Sequence, residues 1–134
     1  MVPYDVIIVG GGLAGLVSAV HLSKKGLSVL LIEKQEYPKH KVCGEYVSNE
    51  VLSYLKALGF DPFEYGAKNI VKLTLSTPQS RSVSTKLPFG GFSMSRYRID
   101  WELAKMAKKY GAEIRHVTVT DIQFKDNRFQ VFTN

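Results

Sequence analysis

The chain has 134 residues, 45% of them hydrophobic, with 18 basic and 12 acidic residues for a formal net charge of +6. It is of single-domain size, with enough apolar content to fill a core. It contains no run of about 18 apolar residues to span a membrane as a helix, and its single cysteine, Cys43, excludes an internal disulfide.

No basic leader with a cleavage site is read at the N-terminus, so the expected location is the cytoplasm. The basic residues are spread as Lys24-Lys25, Lys34, Lys39, Lys41 and Lys105, Lys108, Lys109. That spacing reads as solvated helix faces, and no nucleic-acid partner is expected. A positive field would still draw an anionic cofactor or a lipid headgroup, leaving peripheral membrane contact open.

The first element is the apolar, β-branched run Asp5-Val6-Ile7-Ile8-Val9, which leads into Gly10-Gly11-Gly12-Leu13-Ala14-Gly15. The spacing predicts strand, tight turn and helix, with Gly10, Gly12 and Gly15 as G-x-G-x-x-G. Gly10 permits the turn, Gly12 lets the backbone approach a pyrophosphate, and Gly15 lets the helix lie close to the strand. Leu13 and Ala14 open a helix whose free N–H groups and positive dipole end suit a diphosphate. That helix is expected from about Leu13 to Lys25, stopped by Gly26.

Ser28-Val29-Leu30-Leu31-Ile32 reads as a second buried strand ending in Glu33, about 20 residues beyond Gly12. An acid there accepts hydrogen bonds from the adenosine ribose hydroxyls, and the alternative is a surface acid at a strand end. The stretch Lys34 to Lys41, broken by Pro38, is a loop at the sheet edge where open α/β proteins bind ligands. A second helix follows with Val51, Leu52, Leu55 and Leu58 on one side, capped by Ser48 or Asn49 and ended by Gly59.

Ile70 to Leu75 and Arg81 to Lys86 alternate in type around Pro78-Gln79 and predict antiparallel strands, a small β layer leaving the main sheet. Phe92 to Ser95 is expected to be a further short strand. A third helix is predicted from about Ile99 to Tyr110, then a third parallel strand over Glu113 to Val117. The remaining segment predicts a hairpin turning at Asp126-Asn127.

Three blocks now stand in order: the glycine turn with Glu33, the loop Lys39-His40-Lys41-Val42-Cys43-Gly44-Glu45, and Ser95-Arg96-Tyr97-Arg98-Ile99-Asp100 opening a helix that ends at Gly111-Ala112-Glu113. Together they make nearly the whole chain resemble FAD-dependent oxidoreductases of the geranylgeranyl reductase family. That family sits in the larger group with p-hydroxybenzoate-hydroxylase-type monooxygenases and flavin halogenases. The Cys43-Gly44-Glu45 block is the more selective one.

The resemblance implies an α/β, Rossmann-like FAD-binding domain with a small antiparallel β layer and a β meander. It implies electrons passing from NAD(P)H through FAD to a small organic substrate, isoprenoid or aromatic, or to oxygen. Family members run to about three times this length and carry a later Gly-Asp motif that holds the flavin ribityl chain. Without that motif, residues 1–134 are expected to be an incomplete N-terminal domain with an inserted β segment near 70–94. Alone it would hold FAD weakly or not at all and be inactive, and an oligomer could hide the surface left bare.

The expected cofactor set is Gly10, Gly12, Leu13, Ala14, Gly15, Glu33, Lys34, Cys43, Gly44, Arg96 and Val117. Lys34 lies near the adenine in similar flavoproteins, and otherwise is a solvated lysine. Arg96 matches an arginine that approaches the FAD phosphates or ribityl chain, and Val117 would meet adenine through its backbone. Cys43 has three readings: a small apolar filler, a metal ligand with His40, or part of the loop facing the flavin and substrate. Cys43 and Glu45 are the catalytic candidates. Glu45 is a proton relay or an acid favoured at a helix start. No metal site is expected. The rivals are an NAD(P)-binding Rossmann dehydrogenase and a non-enzymatic nucleotide-binding module that needs a partner chain.

Overall fold

The computed structural model describes residues 3–134 and divides into two compact units, residues 3–40 with 100–134 and residues 41–99. In the first unit, β1 (Val6–Val9), β2 (Val29–Ile32) and β6 (Glu113–Arg115) form a parallel sheet in the order β1-β2-β6. Its central strand β2 reads Val-Leu-Leu-Ile and is buried at every position, as a strand hydrogen-bonded on both sides requires. Helix α1 (Leu13–Lys24) makes the β1-α1-β2 crossover and buries Leu16, Ala19 and Val20. Its C-terminal turn closes where Gly26 N–H donates to Ser23 O.

The start of the sheet is pinned by a side chain. Asp5 accepts from the N–H and hydroxyl of Ser28, both at 2.8 Å, beside the first parallel pair of β1 and β2. The unit ends in a two-stranded ribbon, β7 (Val119–Lys125) and β8 (Arg128–Thr133). The ribbon turns at Asp126 and Asn127, whose φ values of 51° and 59° match the left-handed pair of a type I′ turn.

In the second unit, β3 (Tyr46–Ser48), β5 (Ser82–Ser93) and β4 (Lys68–Ser76) form an antiparallel sheet in the order β3-β5-β4. A 3-10 turn at Asn49–Val51 leads into α2 (Leu52–Leu58), and the Ser48 hydroxyl accepts from Glu50 N–H. Phe60, Pro62 and Phe92 are fully buried here, with Phe60 stacked on Tyr65 at 5.1 Å. Helix α3 (Arg96–Lys109) crosses the division between the units, which falls after Ile99.

The α/β class, the parallel sheet, the separate antiparallel layer and the terminal hairpin are as expected. Three details differ. Phe92 and Ser93 are not a separate strand but the end of β5, which continues through Pro88. Pairing jumps from Ile70 opposite Gly91 to Lys72 opposite Lys86, so Pro88 sits in an irregularity where no ladder N–H is demanded of it. Strand β3 was not foreseen, because three residues show no alternation. The third parallel strand stops at Arg115, which places Val117 beyond its end.

Candidate functional site

The site begins where β1 ends. Gly10 has φ +105°, a conformation that L side chains rarely adopt, and its N–H donates to Ile32 O at 2.8 Å, tying the turn to the neighbouring strand. Gly12 caps α1 in extended conformation. The helix start has no side-chain cap and no acid in its first turn, so the first-turn N–H groups at Leu13 and Ala14 are left for a ligand. At Gly15 a Cβ would stand 2.0 Å from Gly10 O, so only hydrogen lets α1 approach the turn this closely.

Gly11, the middle residue of the triple glycine, is held as tightly. A Cβ there would fall 1.8 Å from the Tyr37 hydroxyl oxygen and 2.8 Å from Glu33 Cβ. Its N–H donates to Glu33 Oε2 at 2.8 Å, and its carbonyl accepts from the Tyr37 hydroxyl at 2.5 Å. Glu33 is 8% exposed, directly after β2, and its Oε1 accepts from Gln35 N–H at 3.0 Å and pairs with Lys39 Nζ at 2.5 Å. Burial works to raise the Glu33 pKa. The Lys39 ammonium and the N–H groups of Gln35 and Gly11 outweigh it, holding the carboxyl below the usual glutamate range.

The ends of β1 and β2 and the chain after β6 enclose a groove of about 230 Å³, lined by Val9, Gly10, Ile32, Glu33, Lys34 and residues 117–119. It has apolar walls with one carboxylate at its edge, at the carboxyl end of a parallel sheet. The structure thus gathers Gly10, Glu33, Lys34 and Val117 around one groove.

Cys43, Gly44 and Glu45 belong to the second unit, ahead of β3, and are exposed. The exposure of Cys43 removes its reading as an apolar filler. Glu45 N–H lies 3.4 Å from Cys43 Sγ, and Glu45 has φ 54°, uncommon for a residue with a side chain. Arg96 is the first residue of α3 and is partly buried. Among the described residues, no three His, Cys, Asp or Glu side chains gather into a metal-binding group, and no helix is long and apolar enough to cross a membrane.

Sequence reasoning missed Gly11, Tyr37, Lys39 and His116 as parts of one cluster. The Tyr37 ring meets His116 edge-on at 5.7 Å, Lys39 Nζ lies 5.2 Å from the centre of the Tyr37 ring, and His116 Nδ1 is 3.0 Å from Gln35 O. The uninterrupted Gly10-Gly11-Gly12 was the one available signal, since the fingerprint leaves its middle position free.

A glycine turn onto an uncapped helix, a carboxylate at the end of the next strand and an apolar groove beside it define a Rossmann-type dinucleotide-binding fold of the flavoprotein kind. A family model described as FAD dependent oxidoreductase matches residues 5–44. The chain is 35% identical over 135 residues to Digeranylgeranylglycerophospholipid reductase 1 of Methanosphaera stadtmanae, an alignment covering 96% of this chain and 33% of that protein. Among solved structures, the flavin-dependent brominase Bmp2 shares the fold with a TM-score of 0.80 at 24% identity, over 98% of this chain and 34% of its own. A variant of the halogenase PltM solved with FAD gives 0.76 at 26% identity, over 98% and 31%. Residues 5–44 thus match the FAD-dependent oxidoreductases, and most of the chain is similar to geranylgeranyl reductases. The chain spans about a third of the length of the curated relatives it matches.

Proposed function

We propose that these residues are the FAD-binding domain, with an inserted β layer, of a flavin-dependent oxidoreductase, and that the first unit holds the ADP half of FAD. The observation that carries this reading is the Gly15 contact. A helix start that no side chain caps is held against the glycine turn, and Glu33 stands beside the groove. The first-turn N–H groups of α1 would bind the pyrophosphate, Glu33 would accept a ribose hydroxyl, and the backbone at Val117 with Val9 and Ile32 would flank the adenine.

FAD, when bound, supplies the redox chemistry, taking hydride from NAD(P)H and passing electrons to a substrate or to oxygen. Arg96 would meet the phosphates or ribityl chain through a guanidinium that stays charged. Cys43, Gly44 and Glu45 would face the flavin and substrate, with Cys43 or Glu45 holding the proton that the product takes up. Prenyl double-bond reduction is favoured over hydroxylation or halogenation because the reductases align along almost the whole chain at 30% to 35% identity, against 24% and 26% for the halogenase structures. An isoprenoid lipid substrate calls for contact with a membrane surface. A cytoplasmic setting fits the exposed free thiol of Cys43.

Titration with FAD and with FMN, followed by flavin fluorescence, tests the assignment. Binding of FAD with FMN weaker by about tenfold or more is expected, because FMN lacks the adenosine half that Glu33 and the groove would hold. Equal binding of the two, or retention of NAD in place of FAD, would overturn it. Glu33→Gln should weaken FAD by about tenfold, the cost of a hydrogen bond to a charged acceptor.

A further inference from the structure

The loop after β2 folds back on the carboxylate that β2 delivers. Glu33 is almost buried, and three of the roughly four lone-pair directions of a carboxylate are used within the chain. Gly11 N–H takes one on Oε2, while Gln35 N–H and Lys39 Nζ take two on Oε1, leaving a single direction on Oε2. The Lys39 side chain is itself only 12% exposed, with Tyr37 beneath its ammonium. Tyr37 in turn is anchored through its hydroxyl on Gly11 O and its edge on His116. This bracing involves neither Gly12 nor Gly15.

A buried carboxylate deprived of its counter-ion takes up a proton, and a protonated carboxyl offers a donor where a ribose hydroxyl needs an acceptor. We propose that Lys39 is a positioning residue for the nucleotide: acting through Glu33, it keeps that carboxylate charged and in one orientation, so that its remaining acceptor direction meets a ribose hydroxyl. This rests on the reading of the first unit as the holder of the ADP half. The titratable and charged groups around Glu33 are Lys34, Lys39 and Tyr37 from its own loop, with Arg115 and His116 from the end of β6. The Arg115 guanidinium is engaged by Glu113 and Tyr4, and the glycine turn contributes only the Gly11 N–H.

The probe is ADP, titrated calorimetrically into the whole chain from about pH 8 down to about pH 4.5, the range that brackets ordinary glutamate and histidine titration. Wild type should change only as the terminal phosphate of ADP takes up its proton near about pH 6, a change every variant shares. Lys39→Met should match it within a few-fold at the alkaline end and fall progressively further behind toward the acid end, as Glu33 in the variant takes up a proton that the ion pair otherwise holds off. Lys39→Arg should restore the wild-type profile, and His116→Gln should follow it, separating the Lys39 ammonium from the ring packed against Tyr37. With 2′,3′-dideoxy-ADP the difference between Lys39→Met and wild type should vanish, which a merely structural role would not produce. Parallel profiles for Lys39→Met and wild type, or tighter ADP binding by Lys39→Met, would overturn the inference while leaving the nucleotide site intact. Failure of every variant and wild type to bind ADP at any pH would overturn both.

Discussion

Gly11 shows how one residue is fixed by contact rather than by its own backbone preference. Its missing Cβ is the space that the Tyr37 hydroxyl and Glu33 Cβ fill. Gly11→Ala should therefore cost about 1 to 3 kcal/mol, the usual size of an overpacking penalty, read as a lower urea midpoint. Adding Tyr37→Phe should return part of the loss, since the nearest clashing atom is then gone. Glu33 makes a separate prediction. Its pKa is lowered on folding, so the stability it contributes is fully present above the unfolded glutamate value of about 4.3 and is lost as pH falls through the lower folded value. In Glu33→Gln that part of the acid limb should disappear from a plot of urea midpoint against pH.

At the scale of elements, the two hairpins differ in what holds their turns. The β7–β8 ribbon turns through two left-handed residues, Asp126 and Asn127. Asn127→Val should cost about 1 to 2 kcal/mol, the penalty of a β-branched side chain in that region, while Asn127→Gly should be tolerated. Thermal unfolding of the two variants checks the pair. Between β4 and β5 the register slips opposite Val71, and that slip accommodates Pro88 inside a long strand. Alternation in the sequence stops at the same place, so the twelve-residue β5 could not be read as one element. Its N-terminal half and β4 were legible because each alternates in type. Strand β3 was not, since its three residues are defined only by pairing with Phe92 and its neighbours.

For the molecule as a whole, net charge +6 and an uncapped α1 favour an anionic ligand without naming one. A ligand that binds only the folded chain stabilises it by mass action. FAD at about a hundred times its dissociation constant should add about 2.7 kcal/mol, and equimolar FMN clearly less. A rise in melting temperature with FAD checks this without any assay of turnover.

The amino-acid sequence by itself determined the parallel sheet, its crossover helix, the turn glycines and the acid at the end of β2. These are properties of neighbours: a β-branched run, a periodic apolar face and a fixed separation from Gly12 to Glu33 each lie within one supersecondary unit. Only the tertiary structure decided that Gly11 had to be glycine, that Val117 borders the groove from beyond its strand, and that Lys39 closes on Glu33. Those relations depend on the path of a loop containing Pro38 and on the return of the chain at β6. The contacts that fix both join residues whose separation no local pattern encodes.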